Sequence, residues 1–75
     1  MEMQSTQYAI YNSLTKQLAV FDYEEGVWGF TSSIVNAYCT ETKSTAEFWL
    51  EMSKYDEVLK NCVVVKIVST INLEY

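Results

Sequence analysis

The sequence predicts an α+β fold: an antiparallel sheet in β-β-β-α-β order, with one main helix packed on one face. Three stretches carry that expectation. Residues 18–30, LAVFDYEEGVWGF, read as two apolar-aromatic strands around an acidic turn. Residues 44–55 combine a capping signal with helical apolar spacing. Residues 62–69, CVVVKIVS, are a Val/Ile run without Gly or Pro, the pattern of a buried strand.

Taken in order, Met1 to Thr6 is polar and expected to fray. Gln7 to Asn12, QYAIYN, alternates loosely and is rich in β-formers, so it is the first strand. The Asn, Ser and Thr of residues 12–17 favour a turn through side-chain-to-backbone hydrogen bonds. The second strand is Leu18 to Tyr23 and the third Val27 to Thr31. Between them Glu24-Glu25-Gly26 fits a three-residue hairpin loop, with Gly26 in the left-handed conformation.

That loop length sets a register. Tyr23 faces Val27, Asp22 faces Trp28, Phe21 faces Gly29 and Val20 faces Phe30. One sheet face then holds Ala19, Phe21, Tyr23 and Val27, and the other Leu18, Val20, Asp22, Trp28 and Phe30. Strand 1 adds Tyr8 and Ile10 to one face and Tyr11 to the other. Both faces are substantially apolar, unlike an antiparallel sheet with one wet side. Either both are covered within the fold, or one meets a partner.

After the third strand, Ser32 and Ser33 can cap a short extra helical turn over Ile34 to Ala37, and Tyr38-Cys39-Thr40 fits a short extended piece. Ser44 and Glu47 form a capping box for a helix from Thr45 to about Tyr55, with a kinked continuation to Lys60 open to it. Ala46, Trp49, Leu50 and Ser53 mark one apolar stripe, and Phe48, Met52, Tyr55 and Leu59 an adjoining one. Asn61 suits the helix end. The final strand runs from Cys62 to Ser69, and its unbroken apolar character predicts a central or doubly covered position. Thr70 to Tyr75 extends it or pairs separately. No repeat or linker interrupts residues 1–75, which form one domain.

Composition narrows the chemistry. A chain of 75 residues buries only roughly 60–65% of the surface its unfolded form exposes. The apolar fraction of 49% still supports a core. There is no His, Arg or Pro. The commonest general base and metal ligand is therefore missing, as is the bidentate clamp for phosphate. Ten acidic residues against five lysines give a net charge of −5. That sign disfavours direct nucleic-acid binding and anionic membrane surfaces, and favours a basic protein partner. The first residues, MEMQSTQ, do not resemble a signal peptide, and no stretch reaches the ~20 apolar residues of a membrane span. The expectation is a cytoplasmic protein with Cys39 and Cys62 reduced, too few and too far apart for zinc.

No catalytic template is filled. Neither Cys has a base placed beside it, Glu24 and Glu25 sit at a turn tip, and no Gly-rich phosphate loop exists. The Asp22-Tyr23-Glu24-Glu25 cluster lacks the ligand count of a calcium loop. The reading is a non-enzyme with no cofactor and no metal. The aromatic residues are the stronger signal, because they exceed what a three-strand, one-helix core needs. Trp and Tyr are favoured at binding hot spots for their area at low entropic cost. Tyr11, Trp28 and Phe30 beside Asp22, Glu24 and Glu25 make the candidate partner-binding patch, aromatic with an acidic rim.

The run YAIYNSLTKQLAVFDYEEGVWGFTSS, the AEFWLEMSKY helix and the Val-rich strand together resemble the small hairpin–helix–strand proteins of phages and other mobile elements. The resemblance spans most of the chain. Some small acidic proteins of this kind are anti-defence factors, anti-CRISPR proteins included, that bind and block a host complex. It implies an inhibitor acting without catalysis in the host bacterial cytoplasm. Separately from the resemblance, the aromatic and acidic surface could mimic nucleic acid and occlude the groove of a basic nucleic-acid-handling complex. The resemblance carries over no individual site residue, since such inhibitors share size and charge rather than a motif. The alternative is a structural, self-assembling homodimer joined through exposed β surface or the terminal strand.

Overall fold

A computed structural model describes residues 2–53 and 56–72 of the chain. The architecture is α+β: a five-stranded antiparallel sheet with one α-helix. The strands are β1 (Glu2–Asn12), β2 (Gln17–Asp22), β3 (Val27–Thr31), β4 (Cys39–Thr40) and β5 (Cys62–Asn72). Helix α1 (Lys43–Met52) and a single 3-10 turn (Glu57–Leu59) lie between β4 and β5.

The long strand β1 is the axis. Along one edge it pairs with β5 over its whole length, from Glu2↔Asn72 to Asn12↔Cys62. Along the other, β2 pairs only at Tyr11↔Leu18 and Asn12↔Gln17 before diverging. β4 occupies part of the vacated edge, at Tyr8↔Thr40 and Ala9↔Cys39. Tyr38, just before β4, donates its N–H to the Ala19 carbonyl at 2.9 Å, bridging back to β2. The split sheet therefore satisfies part of both freed edges with one short strand. Toward residue 2, β1 and β5 continue as a two-stranded arm. The arm helps make the molecule 48 Å long against 24 and 23 Å in the other directions.

Both hairpins close in the same way. In the first, Asn12 Oδ1 accepts from the N–H groups of Leu14 and Thr15 at 2.9 and 3.3 Å. Lys16 donates its N–H to the Asn12 carbonyl at 2.9 Å and takes φ 61°. In the second, Asp22 Oδ1 accepts from Glu24 and Glu25 at 2.9 and 3.2 Å. Gly26 donates to the Asp22 carbonyl at 2.7 Å with φ 69°. A short Asx side chain opens each turn and a left-handed residue ends it.

This turn corrects the expected register. The loop holds four residues, Tyr23 to Gly26, because Asp22 folds the chain one residue earlier than a three-residue loop allows. The pairs are Asp22↔Val27, Phe21↔Trp28, Val20↔Gly29 and Ala19↔Phe30. A one-residue slip exchanges the faces. Trp28 and Phe30 share a face with Ala19 and Phe21, not with Leu18 and Val20.

Four further expectations are revised. Residues 2–6, expected to fray, are the paired end of β1. Ile34 to Ala37 is a turn closed by Asn36 N–H to Ser33 O and Ala37 N–H to Ile34 O, not a helix. Thr42 caps α1 rather than Ser44: its Oγ1 accepts from the Thr45 N–H at 3.3 Å. Glu47 accordingly does not close a capping box but pairs with Lys43 at 3.7 Å. Finally, among the described residues β5 pairs only with β1, which makes it an edge strand and not a central one. Its apolar run serves both faces, while Lys66 interrupts it in the manner of protected edges. The expected continuation of the helix through Lys54 and Tyr55, and the end of the chain from Leu73, lie outside the described residues.

The core is small. Ile10, Ala19 and Leu59 form its buried centre, and Trp28, Phe30, Leu50 and Cys62 pack against it. Helix α1 contributes Ala46, fully buried, and Leu50. Phe48 and Met52, on the adjoining stripe, stay 56% and 66% exposed, so the helix buries a narrower face than its apolar residues could cover. Asn61, at φ 68°, turns the chain into β5.

Candidate functional site: an aromatic face

The corrected register sets Phe21 directly opposite Trp28. Cross-strand aromatic pairs at this spacing touch, and these meet edge to face with centroids 5.2 Å apart at 66°. The four-residue loop carries Tyr23 back against Phe21, at 5.1 Å and 80°. On the other side the Tyr38–Ala19 backbone bond places the Tyr38 ring against Trp28, at 5.7 Å and 90°. Helix α1 completes the series: Tyr38 meets Trp49 at 6.4 Å, and Trp49 meets Phe48 at 5.6 Å. Six rings drawn from the β2–β3 hairpin, the approach to β4 and the helix thus form one continuous ladder. Each edge-to-face pair contributes about 0.5–1.5 kcal/mol beyond its area burial.

Five of these rings, Phe21, Tyr23, Trp28, Tyr38 and Trp49, line a cavity of about 130 Å³. The wall is graded. Trp28 rests on the core and is half-buried. Trp49 is 40% exposed and Tyr23 78% exposed. Burial pushes the Tyr38 hydroxyl above the ordinary tyrosine value, and Tyr23 adds to the shift.

The expected patch is only partly assembled. Trp28 lines the cavity, but its packing on Ile10, Ala19 and Leu59 also makes it a core residue. A substitution at Trp28 therefore touches both the cavity wall and the core packing. Phe30 packs against the same core. Asp22, Glu24 and Glu25 are exposed on the hairpin that carries Tyr23, and Asp22 is occupied in holding the turn. Tyr11 is elsewhere. It lines an open groove of about 330 Å³ with Leu18, Ile34, Val65 and Ile67, where the β3–β4 connection crosses the opposite sheet face. The second apolar face is thus the floor of an open groove, edged by Ser32 and Ile34.

Tyr38 and Trp49 are the members the sequence-derived patch lacks. Trp49 shares a helical stripe with Ala46 and Leu50, which reads as core. Tyr38 depends on a non-local backbone bond that no periodicity announces.

Among the described residues, no three or more His, Cys, Asp or Glu side chains gather as metal ligands. Burial pushes the Cys39 and Cys62 thiols up, which keeps them protonated and poor as nucleophiles. They pair across from Ala9 and Asn12 respectively, so they occupy opposite faces of the sheet and are free thiols. No helix among the described residues is long and apolar enough to cross a membrane.

Compared with known proteins, the chain matches no family model, no curated protein and no solved structure.

Proposed function

We propose that this chain is a small protein-binding module that works without catalysis, by covering a partner's surface with its aromatic face. One observation supports this above the others: a continuous six-ring ladder runs outward from the core-packed Trp28 and leaves Tyr23, Trp49 and Phe48 exposed to solvent at its outer parts. Exposed aromatic side chains in one contiguous patch are the usual anchor of a protein interface. The net charge of −5 and the exposed Glu24 and Glu25 beside Tyr23 favour a basic partner. With the resemblance to small acidic phage and mobile-element proteins, the reading becomes an inhibitor of the anti-CRISPR-like kind. It binds and blocks a nucleic-acid-handling complex in the host bacterial cytoplasm.

The test compares the immobilised protein with its Trp49→Ala variant for capture from bacterial lysate, followed by a salt titration of the complex. The native protein is expected to retain a basic protein that the variant loses, with retention falling steeply as salt rises. Equal retention by the variant contradicts the aromatic-face reading. A flat salt response removes the nucleic-acid mimicry.

A second reading, a self-assembling homodimer, is favoured by a different observation. Among the described residues, β5 pairs only with β1, and no strand covers the other edge of β1 from Glu2 to Gln7. Two-stranded ribbons are marginal alone in water. Sedimentation velocity over a wide concentration range separates the readings: a dimer held through the arm leaves the aromatic face free, and a concentration-independent monomer removes the homodimer.

A further inference from the structure

The ladder encloses a space whose chemistry is narrower than "apolar". Among the described residues, its lining is five aromatic side chains and nothing aliphatic. The aliphatic core residues Ile10 and Leu59 lie among the buried residues beneath Trp28. Successive rings meet at 66°, 90° and 80° from Phe21 through Trp28 and Tyr38 to Trp49, so the walls turn corners rather than stack. Stacked rings cover one another's faces; rings at corners can present π surface from several directions to one small guest. The negative face of an aromatic quadrupole attracts a cation held within about 6 Å of the ring centre, most strongly for Trp and then Tyr. Both Trp residues of the chain and two of its Tyr residues line the space.

The electrostatic setting has the same sign. Among the described residues, no lysine lines the cavity. Lys43, on the same helix as Trp49, is engaged by Glu47. Tyr23 and Tyr38 both line the cavity, and the loop bearing Tyr23 continues into exposed Glu24 and Glu25.

We propose that the Phe21–Tyr23–Trp28–Tyr38–Trp49 cavity is a cation-recognition pocket that takes one lysine or arginine side chain of a basic partner protein. The pocket rests on the reading of the aromatic face as a binding surface, and adds the chemistry of the group that docks there. A single inserted cation supplies register to an interface that long-range charge alone only attracts.

The test uses choline as the probe and, as control, its neutral isostere in which carbon replaces the quaternary nitrogen. Both are titrated into the ¹⁵N-labelled protein while the indole N–H signals of Trp28 and Trp49 are followed. Choline is expected to shift both signals and to bind about three- to tenfold tighter than the neutral isostere. That preference should survive high sodium chloride, because it arises from ring faces and not from net charge. Trp49→Leu should abolish it and Trp49→Phe retain part of it, with the amide spectrum otherwise unchanged. Equal binding of the two probes overturns the cation claim while leaving an apolar protein-binding face in place. A preference that vanishes in salt overturns it in favour of diffuse attraction to an acidic chain. Absence of any shift with either probe overturns the cavity as a binding site.

Discussion

The body of the molecule and its β1–β5 arm both leave apolar side chains in water, by opposite means. In the body, aromatic rings are held by tertiary contacts from the hairpin, the β3–β4 connection and the helix, so a shaped cavity results. In the arm, Met3 and Val68, 50% and 53% exposed, stand on a two-stranded ribbon whose outer edges no described strand pairs. The body is equipped to recognise a side chain, the arm to recognise a strand. Prearranged rings lose little freedom on binding, whereas a ribbon edge accepts any extended chain in register and is specific only through the side chains it presents. The difference locates selectivity in the body and places the hazard of non-specific pairing in the arm.

The comparison breaks first on stability. Ile10→Ala, at the most deeply buried large side chain, should cost about 3 kcal/mol in urea unfolding. A loss under about 1 kcal/mol means the aromatic ladder, not the small aliphatic centre, holds the fold. Next come the two turns. A side chain at Gly26 meets nothing within 4 Å, so Gly26→Val tests the backbone alone and should cost about 1–2 kcal/mol at φ 69°. Lys16 already bears that strain at φ 61°, and Lys16→Gly should gain up to about 1 kcal/mol. Equal signs for the two variants contradict the shared turn geometry.

In the arm, Val68→Lys should change stability by less than about 0.5 kcal/mol. Any concentration-dependent sedimentation should disappear with it, and cooperative unfolding lost in this variant would make the arm part of the core. The smallest effect is alkaline. The pKa values of Tyr38, Cys39 and Cys62 are raised by burial from ordinary values of 10.0, 9.0 and 9.0. The folded state therefore favours their neutral forms. Their contribution is fully present below about pH 9 and is lost as pH rises through the raised folded values. A Tyr38→Phe variant, one ionisation short, should lose less stability above pH 10 than the native protein.

Much of the fold is legible in the sequence, and the site much less. The hairpin strands, a helix after residue 42 and the last strand follow from local pattern. The loop length does not, because Asp22 reads as an acidic residue in an acidic turn, although Asn12 opens the first turn in the same way. That single misplaced residue sends Trp28 and Phe30 to the wrong face, since side-chain direction alternates along a strand. The remaining shortfall is non-local. β4 enters the edge that β2 vacates, and only that insertion carries Tyr38 to Trp28. The edge position of β5 is likewise a fact of pairing order, which a Val/Ile run does not encode.

The account rests on the outer half of the ladder being a surface in its own right and not a loosely packed core. Urea unfolding of Trp49→Ala beside Ile10→Ala tests this most directly, because Trp49 is 40% exposed and Ile10 is 1% exposed. The expected result is cooperative unfolding with a loss below about 1.5 kcal/mol, half or less of the Ile10→Ala effect. A loss equal to or greater than that of Ile10→Ala contradicts the account, because it makes the face an extension of the core.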